Sequence, residues 1–251
     1  MLIQIKNLTL YYGTRCIFDG ANVTLTDGQK IAVIGRNGAG KSTLCKLILG
    51  QEESGRGSVL FGSDLRLAYL EQQDPYTLEE SVLEFLCRYS HCAEWQCGKL
   101  AARFGLEPDH LYTPIGELSG GFQMRVKLTA MLLKDPNFLI LDEPTNYLDL
   151  STLLFLERFL KSFKGSYLIV SHDREFLKRT CNQTMEVEHG KLNLYNGDVE
   201  AYLAYKETRI EQAQMHNESV ERQKKHLQKF IDRFGAKASM AASAQSKLKQ
   251  I

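Results

Sequence analysis

The fold of this chain is decided by Gly35-Arg36-Asn37-Gly38-Ala39-Gly40-Lys41-Ser42-Thr43, which follows an apolar run and precedes a helical pattern. The spacing fits G-x-x-x-x-G-K-[ST], a glycine-rich loop whose backbone N–H groups turn inward on phosphate oxygens. The N-terminus of the following helix adds positive potential at the same place. Lys41 can reach the outer phosphates, and the Ser42 hydroxyl can bind Mg²⁺. These nine residues, hereafter the phosphate loop, predict a nucleoside triphosphate site.

On both sides of the phosphate loop, short apolar runs alternate with helical patterns, which is typical of an α/β fold. Strands are predicted at Leu2 to Ile5, Lys30 to Gly35, Ser58 to Phe61, Arg66 to Leu70, Asn137 to Leu141, Ser166 to Val170, Thr184 to Val187 and Lys191 to Tyr195. Helices are predicted after Lys41, Leu78, Trp95, Ser119, Ser151 and Asp173. The sequence therefore predicts an α/β domain that ends in a hairpin.

A second motif lies downstream, Phe138-Leu139-Ile140-Leu141-Asp142-Glu143, in which four apolar residues lead into two acids. A strand of the same parallel sheet would bring Asp142 to the Mg²⁺ beside Ser42. Glu143 would then lie where a water is polarised for attack on the γ-phosphate. Alone, such a run is more often a strand followed by a solvated turn. The phosphate loop upstream favours Asp142 as a metal ligand and Glu143 as a general base.

Between these two motifs stands Leu118-Ser119-Gly120-Gly121-Phe122-Gln123, directly before a helical pattern. In this order, the three motifs resemble those of the ATP-binding cassette (ABC) superfamily, whose signature is Leu-Ser-Gly-Gly. The resemblance implies a nucleotide-binding domain with a mixed sheet and a helical subdomain. It also implies that Ser119, Gly120 and Gly121 bind the ATP held by an opposite cassette, through a hydroxyl and backbone amides at a helix N-terminus.

The same resemblance assigns roles to four further positions. Tyr12 matches the aromatic residue that stacks on adenine, and His172 matches the switch histidine that contacts the γ-phosphate. Gln72 matches the glutamine that links Mg²⁺ and the attacking water to neighbouring helices, although the adjacent Gln73 is an alternative. The residues 146–149 match a loop that packs across the dimer interface beside the general base.

Three features resemble the ABC-F branch, the soluble cassettes that act on ribosomes, more closely than they resemble transporter ATPases. Phe122 stands where an aromatic residue follows the signature glycines in that branch. The stretch 145–149 matches its Thr-Asn-His-Leu-Asp motif, except that Tyr147 stands in the place of the histidine. The stretch 171–177 matches its switch region. The segment from Tyr195 onward resembles the linker between the two cassettes of ABC-F proteins. We therefore expect the chain to be a piece of a longer protein, and the interval 72–118 to be too short for an inserted ribosome-binding arm.

The tail differs in charge from the rest of the chain. From Tyr205 it carries ten Lys and Arg against five Asp and Glu, whereas the preceding residues carry 21 against 25. Apolar residues recur every seven positions, at Ala213, Val220, Leu227 and Phe234, which predicts a long amphipathic helix. We therefore expect a cassette over residues 1–204 and a helical linker over 205–251. Its cations favour RNA phosphates, of the ribosome or of tRNA, with a solvated basic coiled-coil face as the alternative.

Composition excludes several classes of protein. With 43% hydrophobic and 24% charged residues, the chain has the composition of an ordinary globular domain. No apolar run approaches the roughly 20 residues of a membrane helix, so we expect a cytoplasmic protein without direct membrane insertion. The six cysteines are expected to be reduced thiols. Cys87, Cys92 and Cys97 with His91 do not predict a metal site, because a spacing of five along one helix separates the thiols by about 140°.

These patterns together predict a Mg²⁺-dependent ATPase of the ABC-F type that closes on a second cassette, in tandem or as a second copy, to gate binding to the ribosome. Hydrolysis by a single cassette is expected to be weak. The expected hydrolytic residues are Glu143, His172 and Gln72, and the expected metal ligands are Ser42, Gln72 and Asp142. One alternative is the ATPase of a membrane exporter, and another is a non-catalytic ATP sensor. The choices between ATP and GTP, and between a translation factor and an antibiotic-protection protein, stay open.

Overall fold

The computed structural model describes residues 1–70, 75–146 and 148–234, and within 226–234 it describes the side chain of Lys229 alone. Gln72, Gln73 and Tyr147 lie outside the described residues, as does the second helical pattern expected in the tail. The chain divides into two units, residues 1–200 and 201–251. Among the helices in the described part of the chain, none is both long and apolar enough to cross a membrane.

The elements are numbered in chain order. The strands are β1 (Ile3–Tyr12), β2 (Arg15–Leu25), β3 (Lys30–Ile34), β4 (Arg56–Phe61), β5 (Leu67–Leu70), β6 (Phe138–Asp142), β7 (Ser166–Val170), β8 (Gln183–Glu188) and β9 (Lys191–Tyr195). The α-helices are α1 (Lys41–Ile48), α2 (Val82–Ser90), α3 (Glu94–Arg103), α4 (Pro108–Tyr112), α5 (Gly120–Leu133), α6 (Leu150–Ser162), α7 (Arg174–Thr180) and α8 (Val199–Phe234). The expected α/β fold is confirmed.

A six-stranded sheet in the order β5-β6-β7-β3-β8-β9 forms the centre of the first unit. Adjacent strands of this sheet run parallel, except that β8 and β9 form an antiparallel hairpin. Every residue of β6 and β7 is buried, as expected for apolar strands covered on both faces. Because the strands are parallel, the carboxyl ends of β3, β6 and β7 meet at one edge of the sheet. That edge is where the phosphate loop, Asp142 and His172 follow their strands.

A second, antiparallel sheet has the order β2-β1-β4. Its apolar residues share one core cluster with β3, β6, β7, β8 and α1. The sequence predicted only the first part of β1 and none of β2. The β1–β2 register shifts three times, which interrupts the alternation of buried and exposed residues in both strands and leaves a regular alternation in β2 only over the five residues 21–25. The β8–β9 hairpin joins this sheet where the Asp19 amide donates to the carbonyl of Gly190, at 3.0 Å.

The helical subdomain consists of α2, α3, α4 and α5. Its own apolar core includes Phe85, Leu86, Ala101 and Val126. α2 begins with a capping box in which the Ser81 hydroxyl accepts from the Glu84 amide and the Glu84 carboxylate accepts from the Ser81 amide. The subdomain therefore has a core separate from the sheets, and α5 presents its N-terminal end with the signature.

The helix α8 begins at Val199, six residues before the expected boundary of the linker, and continues to Phe234. Within the second unit, nearly every described side chain between Ala204 and Lys225 is exposed, and apolar residues such as Ile210 and Met215 are among them. The long helix predicted from the seven-residue repeat is present. The side chains of Leu227 and Phe234, which complete the predicted stripe, lie outside the described residues.

Candidate functional site

The phosphate loop connects β3 to α1 as the sequence predicted. Lys41, at the first position of α1, is buried, and its Nζ donates to the carbonyls of Gly35 and Arg36 at 3.0 and 3.3 Å. The Lys41 side chain thus links the C-terminal part of the phosphate loop to its first two residues. These two hydrogen bonds hold the lysine in the place where the outer phosphates of a nucleotide are expected.

Three glycines of the phosphate loop have a backbone conformation that favours glycine, and at Gly35 and Gly40 close packing requires it as well. A Cβ on Gly35 would lie 2.6 Å from the carbonyl oxygen of Val187, and Gly40 has φ +109°. A Cβ on Gly40 would lie 2.7 Å from Cγ2 of Ile17, and one on Gly38 would lie 2.8 Å from Nη2 of Arg15. The outer side of the loop is therefore held by β8 and β2. Sequence analysis missed this contribution of β2, because it did not predict the strand.

Asp142 ends β6 beside the phosphate loop and is 5% exposed. Burial raises the pKa of this carboxyl, while a hydrogen bond with Ser42 and the charges of Lys41 and Lys46 act in the opposite direction. Its Oδ1 atom is buried and has no hydrogen-bond partner among the described residues. Mg²⁺ takes oxygen ligands, so a carboxylate oxygen without a partner beside a hydroxyl fits this ion. The structure brings together two of the three predicted metal ligands, Ser42 and Asp142.

Glu143 follows directly, in a left-handed backbone conformation with φ +51°. Its amide donates to the carbonyl of Val170 at 2.8 Å, which ties it to the end of β7. Its carboxylate oxygens lie 3.3 Å from Nε2 of His172 and 3.4 Å from the His172 amide nitrogen. The side chain of Glu143 is 12% exposed, whereas that of His172 is 64% exposed. The structure therefore joins the predicted base and the predicted switch histidine, with the histidine on the solvent side.

Two loops that leave this edge of the sheet are ordered by short polar side chains. Thr145 Oγ1 and Ser171 Oγ lie 3.1 Å apart and connect the segments after β6 and β7. Asp149 caps α6 by accepting from the Thr152 amide at 3.0 Å. Hydrogen bonds from Thr152 and then Ser151 lower the pKa of Asp149. The C-terminal end of the predicted interface loop is thus held to the first turn of α6.

The two signature glycines have different surroundings. A Cβ on Gly120 would meet nothing within 4 Å. A Cβ on Gly121 would lie 2.4 Å from Oγ1 of Thr152, the residue whose backbone amide donates to Asp149. Ser119 precedes α5 at its N-cap and is exposed. Gly120 therefore leaves room for an external group, and Gly121 lets α5 approach α6. The expectation that both glycines act by approaching phosphate takes no account of this packing.

Because Gly120 and Gly121 have different surroundings, we expect alanine substitutions at the two positions to affect stability differently. We expect Gly121→Ala to lower the free energy of unfolding by about 1–3 kcal/mol, because Thr152 is buried and cannot move aside freely. Gly120→Ala, one position earlier in the same helix, is the matched control and should leave stability unchanged or slightly raised. Thermal and denaturant unfolding would measure both. Equal stabilities of the two variants would contradict the packing role of Gly121.

Around the signature helix, Phe122 belongs to a stack of rings and a guanidinium group whose other members the sequence analysis did not single out. The rings of His110 and Phe122 are stacked, with centroids 4.4 Å apart. The guanidinium of Arg125 lies over the rings of Phe122 and Phe155, at 5.2 and 4.7 Å from their centroids. Phe122, the aromatic residue after the signature, thereby connects α5 to α4 and, through Arg125, to α6.

Tyr12 ends β1 and is 45% exposed. Desolvation is the largest cause that raises the pKa of its phenol, Glu52 also raises it, and Thr43 lowers it. The predicted adenine-stacking residue therefore lies beside the last residue of the phosphate loop. Gln72, predicted as both a metal ligand and a hydrolytic residue, lies outside the described residues.

The cysteine geometry corrects one argument from the sequence. α2 ends at Ser90, and His91 follows with φ +58°, so that Cys87 and Cys97 lie on two different helices with their sulfur atoms 3.7 Å apart. The expectation that one continuous helix keeps these thiols apart is wrong. Burial raises the pKa of Cys97 to about 11. Within the described residues, no group of three or more His, Cys, Asp or Glu side chains could hold a metal ion.

Comparison with solved structures supports the fold. An ATP-binding subunit of an ABC transporter superposes on this chain with a TM-score of 0.68 at 23% identity, covering 80% of this chain and 91% of the other. At this identity the likeness concerns the fold alone. The sheet and helical subdomain described above thus have the fold of that subunit, and the expected fold class is confirmed.

Protein-family models and curated relatives match both the cassette and the segment that follows it. Two family models described as ABC transporter match residues 18–146 and 185–251. The probable ATP-binding protein YheS of Escherichia coli K12 is 32% identical over 284 residues, covering 100% of this chain and 44% of that protein. ATP-binding cassette sub-family F member 3 of Homo sapiens is 31% identical over 284 residues, covering 99% and 40%. The chain thus spans less than half the length of these relatives, and it belongs to the ABC-F branch of the ATP-binding cassette family.

Proposed function

We propose that this protein is an ABC-F ATPase whose cassette closes on a second cassette when ATP is bound and thereby controls binding to the ribosome. The observation that carries the hydrolytic part is the meeting of Lys41, Asp142, Glu143 and His172 at one sheet edge. A loop for phosphates, a carboxylate for a metal ion and a carboxylate for a water are the parts that phosphoryl transfer to water requires.

Each residue then has one task. Lys41 would exchange its hydrogen bonds with Gly35 and Arg36 for bonds with the outer phosphates. Ser42 and Asp142 would hold Mg²⁺, which neutralises charge on the β- and γ-phosphates when it is bound. Glu143 would accept a proton from the attacking water. His172, whose backbone amide donates to the Glu143 carboxylate in this structure, would turn its exposed ring to the γ-phosphate.

The proposal of a second cassette rests on the signature. Ser119 and Gly120 are exposed at the N-terminus of the fourteen-residue helix α5, and Gly120 is open to an incoming group. A helix N-terminus with free amides favours an anion such as the phosphates of ATP. We therefore expect a single cassette to bind ATP with part of its full affinity and to hydrolyse it slowly, since the signature of another cassette completes the site.

The proposal of a ribosomal partner rests on the family and on α8. Lys224, Lys225 and Lys229 are exposed on this helix, while Arg222 pairs with Glu218 at 3.0 Å. Exposed cations on a helix bind nucleic acid through phosphates, with an affinity that falls as salt rises. Acting on ribosomes, the protein would work in the cytoplasm.

Sedimentation with ribosomes tests this proposal. The full protein would carry Glu143→Gln and the equivalent change in a second cassette, so that ATP traps the closed state. We expect ATP but not ADP to bring it into the ribosomal pellet, and rising salt to release it. A matched variant with Lys224, Lys225 and Lys229 changed to Gln should bind ATP normally and sediment less.

Two results would decide against the ribosomal role. If the trapped protein stays in the supernatant with ATP at low salt, ribosome binding is refuted while the ATPase assignment stands. Co-purification with a membrane protein under the same conditions would then support the exporter alternative. If the lysine variant sediments as well as the parent, α8 is not the RNA contact.

A further inference from the structure

The tip of the β1–β2 hairpin lies against the outer side of the phosphate loop. Tyr12 and Arg15 are directly opposite each other across this hairpin, on either side of Gly13, which has φ +60°. Residues directly opposite each other in an antiparallel pair place their side chains on the same face. Both side chains are exposed. The hairpin therefore presents an aromatic ring and a cation side by side, next to the nucleotide site.

Arg15 makes a direct contact with the phosphate loop. Its Nη2 donates to the carbonyl of Gly38 at 2.7 Å. Gly38 has φ +74°, and a Cβ there would lie 2.8 Å from the same nitrogen. Glycine at position 38 thus permits the left-handed backbone and leaves the guanidinium room beside the loop.

A second contact from the same strand supports the first. A Cβ on Gly40 would lie 2.7 Å from Cγ2 of Ile17 and 3.1 Å from the ring of Phe18. The strand β2 therefore touches the loop at two glycines. Ile17 and Phe18 are buried and supply packing, whereas Arg15 is the exposed and charged part of this support.

The charge of Arg15 is available to a ligand. Within the described part of the chain, the guanidinium forms no ion pair, and its hydrogen bond with Gly38 uses one of five N–H donors. A guanidinium stays charged at all ordinary pH values and suits phosphate geometry. A polyphosphate bound in the loop would bring several negative charges close to this cation.

We propose that Arg15 is a positioning residue for the phosphates of the nucleotide. It fixes the carbonyl of Gly38 and adds positive charge at the outer side of the loop, so that affinity for the polyphosphate depends on it and affinity for the base does not. Tyr12, its cross-strand partner, has the complementary role. This inference rests on the ATP binding proposed above.

The test separates the phosphates from the base by the choice of ligand. Arg15→Ala, Arg15→Lys and Tyr12→Ala would be compared with the unaltered chain in competition against a fluorescent ATP analogue. The competitors are MgATP and magnesium tripolyphosphate, which lacks base and ribose. We expect Arg15→Ala to weaken both competitors about tenfold and equally, and Tyr12→Ala to weaken ATP alone. Arg15→Lys should recover part of the loss for both, because it keeps the charge without the planar fork.

The outcomes distinguish this inference from the proposed function. If the unaltered chain does not bind ATP, the proposed function fails. If it binds ATP and Arg15→Ala binds equally well, or loses affinity for ATP alone, the role in positioning phosphates is overturned. The same follows if tripolyphosphate does not compete with the unaltered chain, since a supported loop must hold phosphates without the base. Thermal unfolding of Arg15→Ala without nucleotide should match that of the parent, and a large decrease would indicate a structural role instead.

Discussion

Glu143→Gln is expected to lower the rate of ATP hydrolysis by the full protein about 100-fold or more while ATP binding survives. Loss of a general base costs roughly two to four orders of magnitude in rate. The amide keeps the size of the carboxylate, and its oxygen can still accept from the backbone amide of His172, whose nitrogen lies 3.4 Å from the carboxylate. Phosphate release under saturating ATP, together with ATP binding by equilibrium methods, would measure both effects.

The control for this prediction is Glu79→Gln, which neutralises an exposed carboxylate on the segment that precedes α2. It should hydrolyse ATP at the rate of the parent. Hydrolysis by Glu143→Gln within a few fold of the parent, with the equivalent residue of a second cassette also changed, would contradict the role of Glu143 as the base. Loss of ATP binding would instead indicate that Glu143 supports the fold of the site.

Asp142→Asn is expected to make ATP binding independent of Mg²⁺. In the parent, Mg²⁺ should tighten ATP binding about tenfold or more, because the Asp142 carboxylate can hold the ion beside Ser42. The amide lacks the charge, so ATP affinities of the variant measured with Mg²⁺ and with a chelator should converge. Titration of each protein with ATP under both conditions would show the difference.

The same substitution should raise the stability of the protein without nucleotide. Burial raises the pKa of Asp142, which means that the folded state disfavours its charged form relative to the unfolded chain. For an acid with a raised pKa, stability is lost as the pH rises through its titration, and a neutral amide avoids this loss. We therefore expect a higher midpoint of thermal unfolding at pH 7 for Asp142→Asn. A lower midpoint would show that the hydrogen bond with Ser42 outweighs the cost of burial.

The sequence predicted the site best where a residue follows a buried parallel strand. Glu143 and His172 come from strands that read as continuous apolar runs, so their positions at one edge followed from the topology of a parallel sheet. Arg15 could not be found in this way, because the first half of β2, where Arg15 lies, has an irregular register and no clear alternation. The contact of Gly121 with Thr152 was also out of reach, since it depends on how two helices approach rather than on any local pattern.

The left-handed conformation of Glu143 sets stability against activity at one residue. A non-glycine residue with φ +51° pays about 1 kcal/mol in backbone strain, which glycine would avoid. Selection for a robust fold alone would therefore favour glycine at position 143, at the cost of the carboxylate. The same reasoning warns against engineering this chain for heat resistance by relieving strain wherever it occurs, because relief at this residue would give a more stable protein that lacks the carboxylate proposed as its general base.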